Sequence, residues 1–288
     1  MSHRITIPCN PANPVNYLAC CGLFDLLARM DSGALGWWQT KAPVAFLLES
    51  EVAEPDLLAT VLNTLSSVSC WKFVCPPGGS DPVRVVAEFA PPGKEVFAVA
   101  LDWWLETSKL DGSILGKTAW KMFAGNMSVE KTTRDLIGAA ANIAGRAGIP
   151  RCVAAFVAES APLTCRFGFD FRSSRDGIDL GFITNDLKRK HTETFAIAEL
   201  LALFGVQAFF PSRCDKPRRF ASTRGWQGGD DGDGRAAFTY FLWDWPIPVT
   251  LARLAACRSL SETSQALCSR RKKRGELANL TPATTVAT

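Results

Sequence analysis

Apolar and polar residues alternate in Arg4-Ile5-Thr6-Ile7-Pro8, the period-two signature of a short strand. Asn13 then precedes Pro14, a capping residue followed by the residue favoured in the first helical turn. Tyr17, Leu18, Cys21, Phe24 and Leu27 recur at spacings of three and four, which predicts a helix over roughly 14–30. Cys20, Cys21 and Gly22 are small residues in its middle. A mid-helix glycine costs about 1 kcal/mol against alanine, so Gly22 predicts a neighbour packed closely against the backbone. Residues 33–38 turn out of the helix, and Pro43 to Leu48 reads as a strand. Pro55 opens a second helix with Leu57, Leu58, Val61, Leu62 and Leu65 on one face. The β-like runs 83–89 and 95–101 are joined as a hairpin by Pro91-Pro92-Gly93-Lys94.

Ser128 is a good N-cap for a helix running to Gly145, and residues 152–158 and 163–171 read as β runs. An amphipathic helix is expected over 193–204, with Gly205 ending it. Residues 211–233 read as a long exposed loop, 236–243 as a strand and 248–257 as a short helix. Everything after Leu260, including Arg270-Arg271-Lys272-Lys273-Arg274, reads as a disordered basic tail. Strands and helices in this succession form an α+β order, not a regular doubly wound one.

Composition narrows the class. With 288 residues, 47% hydrophobic and 21% charged, the chain is one large or two small folded domains. No apolar run is long enough to span a bilayer, and no signal-peptide core follows Met1-Ser2-His3-Arg4, so the expectation is a cytoplasmic chain with no membrane partner. None of the ten cysteines forms a Cys-x-x-Cys pair, and the only histidines are His3 and His191. Free thiols acting as small hydrophobes are expected, with no metal and no cofactor.

Charge is unevenly placed. Residues 1–107 carry 6 basic and 11 acidic side chains, whereas residues 108–288 carry 26 and 17. That polarity points to an N-terminal α+β module (1–107) that docks on protein, a basic α+β module (108–260) that meets a polyanion, and the tail (261–288). Trp37, Trp38, Trp103 and Trp104, if exposed, would leave sticky patches on the isolated chain.

Few motifs for catalysis survive inspection. Gly116-Lys117-Thr118 ends like a phosphate-binding P-loop, but Asp111 stands where the first glycine belongs. Asp230, Asp231 and Asp233 lack the glutamate that closes a calcium loop, since Phe241 holds that position. His191, within Lys188-Arg189-Lys190-His191, is a weak candidate general base and has no visible acid partner. What remains is cations interleaved with aromatic rings. Trp120 and Phe123 flank Lys121, Phe220 and Trp226 flank Arg224, and Phe167, Phe169 and Phe171 alternate beside Arg166 and Arg172. Such a strand is either an RNA-stacking platform or a row of core phenylalanines with arginines facing water.

Particular strings then carry a resemblance. The opening Asn13-Pro14-Val15-Asn16-Tyr17-Leu18-Ala19-Cys20-Cys21-Gly22-Leu23 with Gly36-Trp37-Trp38 resembles the third Csb family of type I-U (I-G) CRISPR systems, classed with the RAMP superfamily. Leu101-Asp102-Trp103-Trp104, Lys121-Met122-Phe123-Ala124-Gly125, Phe167-Gly168-Phe169-Asp170, Asp179-Leu180-Gly181-Phe182 with Asn185-Asp186, and Glu199-Leu200-Leu201-Ala202 with Gly205-Val206-Gln207 follow in the same order. The resemblance spans about residues 5–260. The family has Trp where Phe123 stands, and it lends no role to residues 270–274.

The resemblance implies a RAMP-type α+β fold of ferredoxin-like βαββαβ modules, with antiparallel sheets and flanking helices, assembling with other Cas proteins around a guide RNA. It implies no catalytic residue. The leading expectation is a non-catalytic subunit of a Cascade-like interference complex in antiviral defence. Lys117, Lys121, Lys131, Arg134, Lys188, Arg189, Lys190, Arg213, Arg218, Arg219 and Arg224 would neutralise phosphates. Trp120, Phe123 and Trp226 would stack on bases. Two alternatives stay open: an endoribonuclease acting on precursor guide RNA with His191 as base, and a subunit recognising target duplex DNA.

Overall fold

The structure, a computed structural model, describes residues 2–79, 81–107, 114–118, 128–163, 167–170, 192–209, 226–227, 237–256, 265–274 and 277–286. It is an α+β fold of helices and small antiparallel sheets. In chain order its first elements are β1 (His3–Pro8), α1 (Pro14–Met30), β2 (Leu35–Gln39), β3 (Ala45–Ser50) and α2 (Glu54–Leu65). There follow β4 (Trp71–Val74), β5 (Arg84–Phe89), β6 (Phe97–Leu101), β7 (Leu105–Thr107) and β8 (Ile114–Lys117). Next come α3 (Val129–Ala144), α4 (Val153–Ala158), β9 (Ala161–Leu163), β10 (Thr192–Thr194) and α5 (Ala196–Phe209). The last are β11 (Trp226–Gln227), β12 (Ala237–Leu242), β13 (Ile247–Pro248), α6 (Val249–Ala255), β14 (Gln265–Arg274), β15 (Leu277–Leu280) and β16 (Thr284–Val286).

The first sheet runs β1-β3-β2-β13, with β3 antiparallel to both β1 and β2. β1 and β2 are therefore parallel to each other, and α1 is the crossover between them. The expected hairpin forms as β5 and β6, with β4 beside β5 in a separate sheet.

Two helices occupy the centre. Every residue of α1 from Pro14 to Leu27 is buried, and so is every residue of α5 from Ala196 to Val206. Neither is the amphipathic surface helix its spacing predicts; a helix apolar on all faces belongs inside. They cross at glycines. A Cβ on Gly22 would lie 2.1 Å from the carbonyl oxygen of Leu201, and one on Gly205 would lie 1.9 Å from that of Leu18. The neighbour that Gly22 demands is α5. Gly205 is correspondingly inside a helix, not after its end. α1 and α5 come from either side of residue 107, so residues on both sides contribute to one core.

Other expectations also change. Residues 152–158, read as a β run, are the coil residue Cys152 followed by α4, and Glu54 Oε1 accepts a hydrogen bond from the Val153 backbone N–H at 2.9 Å. Residues 33–38 lead into a strand, β2. Trp38, Trp103 and Trp104 are buried and Trp37 half-buried, which removes the expected sticky patches. Asn13 stands at the N-cap of α1, but its side chain caps nothing; it donates to Asp170 Oδ1 at 2.9 Å. The region after Leu260 holds β14, β15 and β16, with β14 paired to β12, so it is not a tail without structure.

Asp31 ties the end of α1 to β3. Its carboxylate accepts hydrogen bonds from the Gly33 N–H (2.9 Å), Ser50 Oγ (2.8 Å) and the Glu51 N–H (2.8 Å). Burial opposes the charge, but the Glu51, Ser50 and Gly33 donors, with Lys94 nearby, outweigh it and hold the carboxyl below its ordinary value. A lowered folded pKa gives stability that is full above the unfolded value near 3.9 and is lost as pH falls through the folded value. Asp31→Asn is expected to destabilise the chain at about pH 7, with the gap to wild type closing by about pH 2. Urea unfolding midpoints at the two pH values check this; an equal gap at both would show that the charge contributes nothing.

Candidate nucleic-acid interface

Three of the expected phosphate contacts lie among residues whose side chains are described. Lys131 and Arg134 sit on α3, which begins at Ser128; the Ser128 hydroxyl oxygen accepts from the Lys131 N–H at 3.1 Å. The helix buries Val129, Thr132, Thr133, Leu136, Ile137, Ala140 and Ile143, which leaves Lys131, Arg134, Gly138 and Asn142 as an exposed stripe. Arg134 is engaged within the chain, 2.8 Å from Glu130 Oε1 and with its guanidinium 4.5 Å over the half-buried ring of Phe73. That geometry fixes a planar cation on an aromatic ring, an arrangement that also suits stacking on a base. Among the described residues Lys131 has no ion-pair partner, and it is exposed.

Lys117 is exposed at the end of β8. The surrounding Gly116-Lys117-Thr118 is not a phosphate-wrapping loop. Gly116 and Lys117 pair with β7, and the Thr118 hydroxyl donates to the Trp103 carbonyl at 2.7 Å. Trp226 lies in β11 opposite Phe238. Trp120, Lys121, Phe123, Lys188, Arg189, Lys190, His191, Arg213, Arg218, Arg219 and Arg224 lie outside the described residues.

Of the two readings of the alternating phenylalanines, the stacking platform fails where it is described. Phe167 and Phe169 are buried and not on a strand, and Gly168 between them adopts a positive φ of 85°. Phe167 packs edge-on against Trp103 at 5.3 Å and lies 6.2 Å from Phe169. The core reading of these rings is the correct one, and Phe171 lies outside the described residues.

A second cationic cluster escaped the sequence reading. Asp25 lies in the middle of α1 with its side chain 2% exposed. Arg29, one turn later, donates from Nε to Oδ2 at 2.9 Å, and Arg253 of α6 donates from Nη2 to Oδ1. The two arginine side chains are 39% and 37% exposed, and with Gln207 and residues Ala98 to Ala100 they border a cleft of about 260 Å³. One carboxylate there engages two guanidiniums. The Asp25–Arg29 spacing of four is visible in sequence as a helical ion pair. Arg253 had no local signal.

The seven described cysteines are free thiols. The Cys9 and Cys20 sulfurs are 3.7 Å apart, one thiol donating a hydrogen bond to the other. Burial first, and then the hydrogen bond to Cys9, pushes the Cys20 thiol well above its ordinary pKa, so Cys20 stays protonated and inert. Among the described residues no group of three His, Cys, Asp or Glu is placed to hold a metal ion, and no helix is long and apolar enough to cross a membrane. Comparison with protein-family models, with curated proteins and with solved structures finds no match for this chain.

Proposed function

We propose that the protein is a non-catalytic subunit of a type I-U (I-G) CRISPR interference complex, binding guide RNA and neighbouring Cas subunits in antiviral defence. The observation that carries the reading is the exposed stripe of α3. Lys131 is exposed to meet a phosphate there, and Arg134 is held over the Phe73 ring three residues further on. Lys117, and the two arginines on Asp25, add exposed positive charge elsewhere on the described surface.

The RAMP-type part of the reading draws on the first sheet. The order β1-α1-β2-β3-α2, with β3 between two parallel strands, is the split βαβ arrangement with which a ferredoxin-like module begins. The strand after α2 departs from that pattern, since β4 pairs with β5 in another sheet and not with the edge of β1. Membership of the Csb family rests on the ordered strings of the sequence.

The test is retention of guide RNA by the full chain, alone and with the other subunits of its operon. If 6–10 phosphates are contacted, affinity is expected to fall by about 10³ or more between about 50 and 200 mM salt. Lys131→Ala combined with Arg134→Ala is expected to shallow the salt slope by up to about 2. RNA that is not retained, or a constant insensitive to salt, overturns the reading.

A further inference from the structure

Cys9 stands in the coil directly after β1, and Cys20 lies in the middle of α1. The chain between them is short, residues 10–19, and it returns the Cys20 sulfur to 3.7 Å from that of Cys9. Two thiols in contact can serve packing, a metal, or a bond between themselves. Packing accounts for Cys20, which is buried, but Cys9 is only half-buried. A metal needs further ligands, and among the described residues no group of three His, Cys, Asp or Glu is placed to hold one. Oxidation of the pair to a bond is the remaining use.

We infer that Cys9 and Cys20 form a reversible oxidation site, in which a peroxide oxidises Cys9 and Cys20 closes a disulfide onto it. The difference in burial assigns the roles. A peroxide from solution meets the half-buried thiol before the buried one. The Cys9 sulfur takes one oxygen of hydrogen peroxide as the O–O bond breaks, giving Cys9 sulfenic acid and water. The Cys20 sulfur then attacks the Cys9 sulfur. The S–S bond forms, the S–O bond breaks, and the Cys20 proton leaves with the hydroxyl as a second water. Two thiols thus lose two electrons, and one hydrogen peroxide becomes two water molecules.

Burial keeps Cys20 protonated and inert toward solutes, so it acts only on the neighbour it already touches. The sulfurs have to close from 3.7 Å to about 2.0 Å. Cys9, outside the regular elements, makes that movement, because Cys20 is packed in the central helix. In a reducing compartment such a pair rests as thiols and bridges only under oxidant. The consequence is protection: a sulfenic acid captured as a disulfide does not run on to the irreversible sulfinic acid. The site stands on this geometry and is independent of RNA binding.

The test exposes the full, reduced chain to hydrogen peroxide until the exposed Cys75 is oxidised, and maps the cysteines by peptide mass spectrometry before and after a thiol reductant. Chymotryptic cleavage after Tyr17 or Leu18 separates Cys9 from Cys20, and fragmentation tells Cys20 from its neighbour Cys21. The expected product is a Cys9–Cys20 linked pair of peptides, lighter by about 2 Da than the two thiol peptides together and released by the reductant. In Cys20→Ala the Cys9 sulfenic acid has no thiol to capture it, and it is expected to reach the sulfinic or sulfonic acid, about 32 or 48 Da heavier, at a dose that leaves wild type bridged. Cys9→Ser, at the half-buried position, serves if Cys20→Ala fails to fold, and its Cys20 is expected to stay a free thiol. Cys9 and Cys20 both unmodified once Cys75 is oxidised overturns the inference. So does a wild-type Cys9 that becomes sulfinic acid without bridging, a bridge to Cys21 in place of Cys20, or a Cys20 that oxidises in Cys9→Ser.

Discussion

Gly205→Ala is expected to lower stability by about 3 kcal/mol or more, or to prevent folding. The added methyl would sit 1.9 Å from the Leu18 carbonyl oxygen and 2.7 Å from its carbon. Both atoms are backbone, so no rotamer change relieves the overlap. α1 and α5 would have to move apart along their whole contact, and the residues they bury together, Leu18, Cys21, Leu201 and Phe204 among them, would lose close packing. Gly22→Ala meets the Leu201 carbonyl at 2.1 Å and should behave alike. Gly138→Ala is the control. It lies on the exposed stripe of α3 with nothing within 4 Å of its would-be Cβ, so it should gain about 1 kcal/mol from helix propensity. Urea midpoints measured together decide: a Gly205→Ala chain as stable as wild type would mean that the two backbones do not touch.

The same glycine shows where sequence stops being legible. Gly22 signals a close neighbour because a mid-helix glycine needs a compensating reason. Gly205 follows an apolar helical run, which locally resembles a helix stop, and only α1, far away in the chain, makes it an interior residue. Cys152 to Ala158 is short and apolar without period, so it reads equally as strand or helix. The hydrogen bond from the Val153 N–H to Glu54, a tertiary contact, accompanies the helical outcome. Arg270 to Arg274 reads as tail on charge alone, yet the run continues a strand that Ala266 and Leu267 anchor by burial. The tryptophan pairs divide by geometry. β2 is pleated, so Trp38 turns inward and Trp37 is half-buried, whereas Trp103 and Trp104 lie on the turn between β6 and β7 and both go in.

The strings behind the resemblance meet one another inside the molecule. Asn13 bonds to Asp170, the Asp170 N–H donates to Glu199 at 3.1 Å, Gly22 lies on Gly205, and Gln207 brackets Asp102 through its N–H (2.8 Å) and Oδ1 (3.1 Å). Their shared physical meaning is a core and its polar struts. They bear on fold, and the case for RNA rests separately on the cations that remain at the surface.

Asp25→Ala is the second large effect. Both carboxylate oxygens are engaged, by Arg29 from the next turn of α1 and by Arg253 from α6, and the carboxylate itself is out of water. Removing one partner of a fully buried ion pair costs about 3–5 kcal/mol. Here both guanidiniums reach solvent for more than a third of their surface, so they can rotate outward and the expected loss is discounted to about 2–3 kcal/mol. Part of the loss is repulsion between two like charges that the carboxylate had held together. That part disappears in Arg29→Met with Asp25→Ala, and a double-mutant cycle should therefore return a coupling of about 1 kcal/mol or more. If Asp25→Ala and Arg29→Met simply add, the carboxylate is a packing element, and the two arginines reach the cleft without its help.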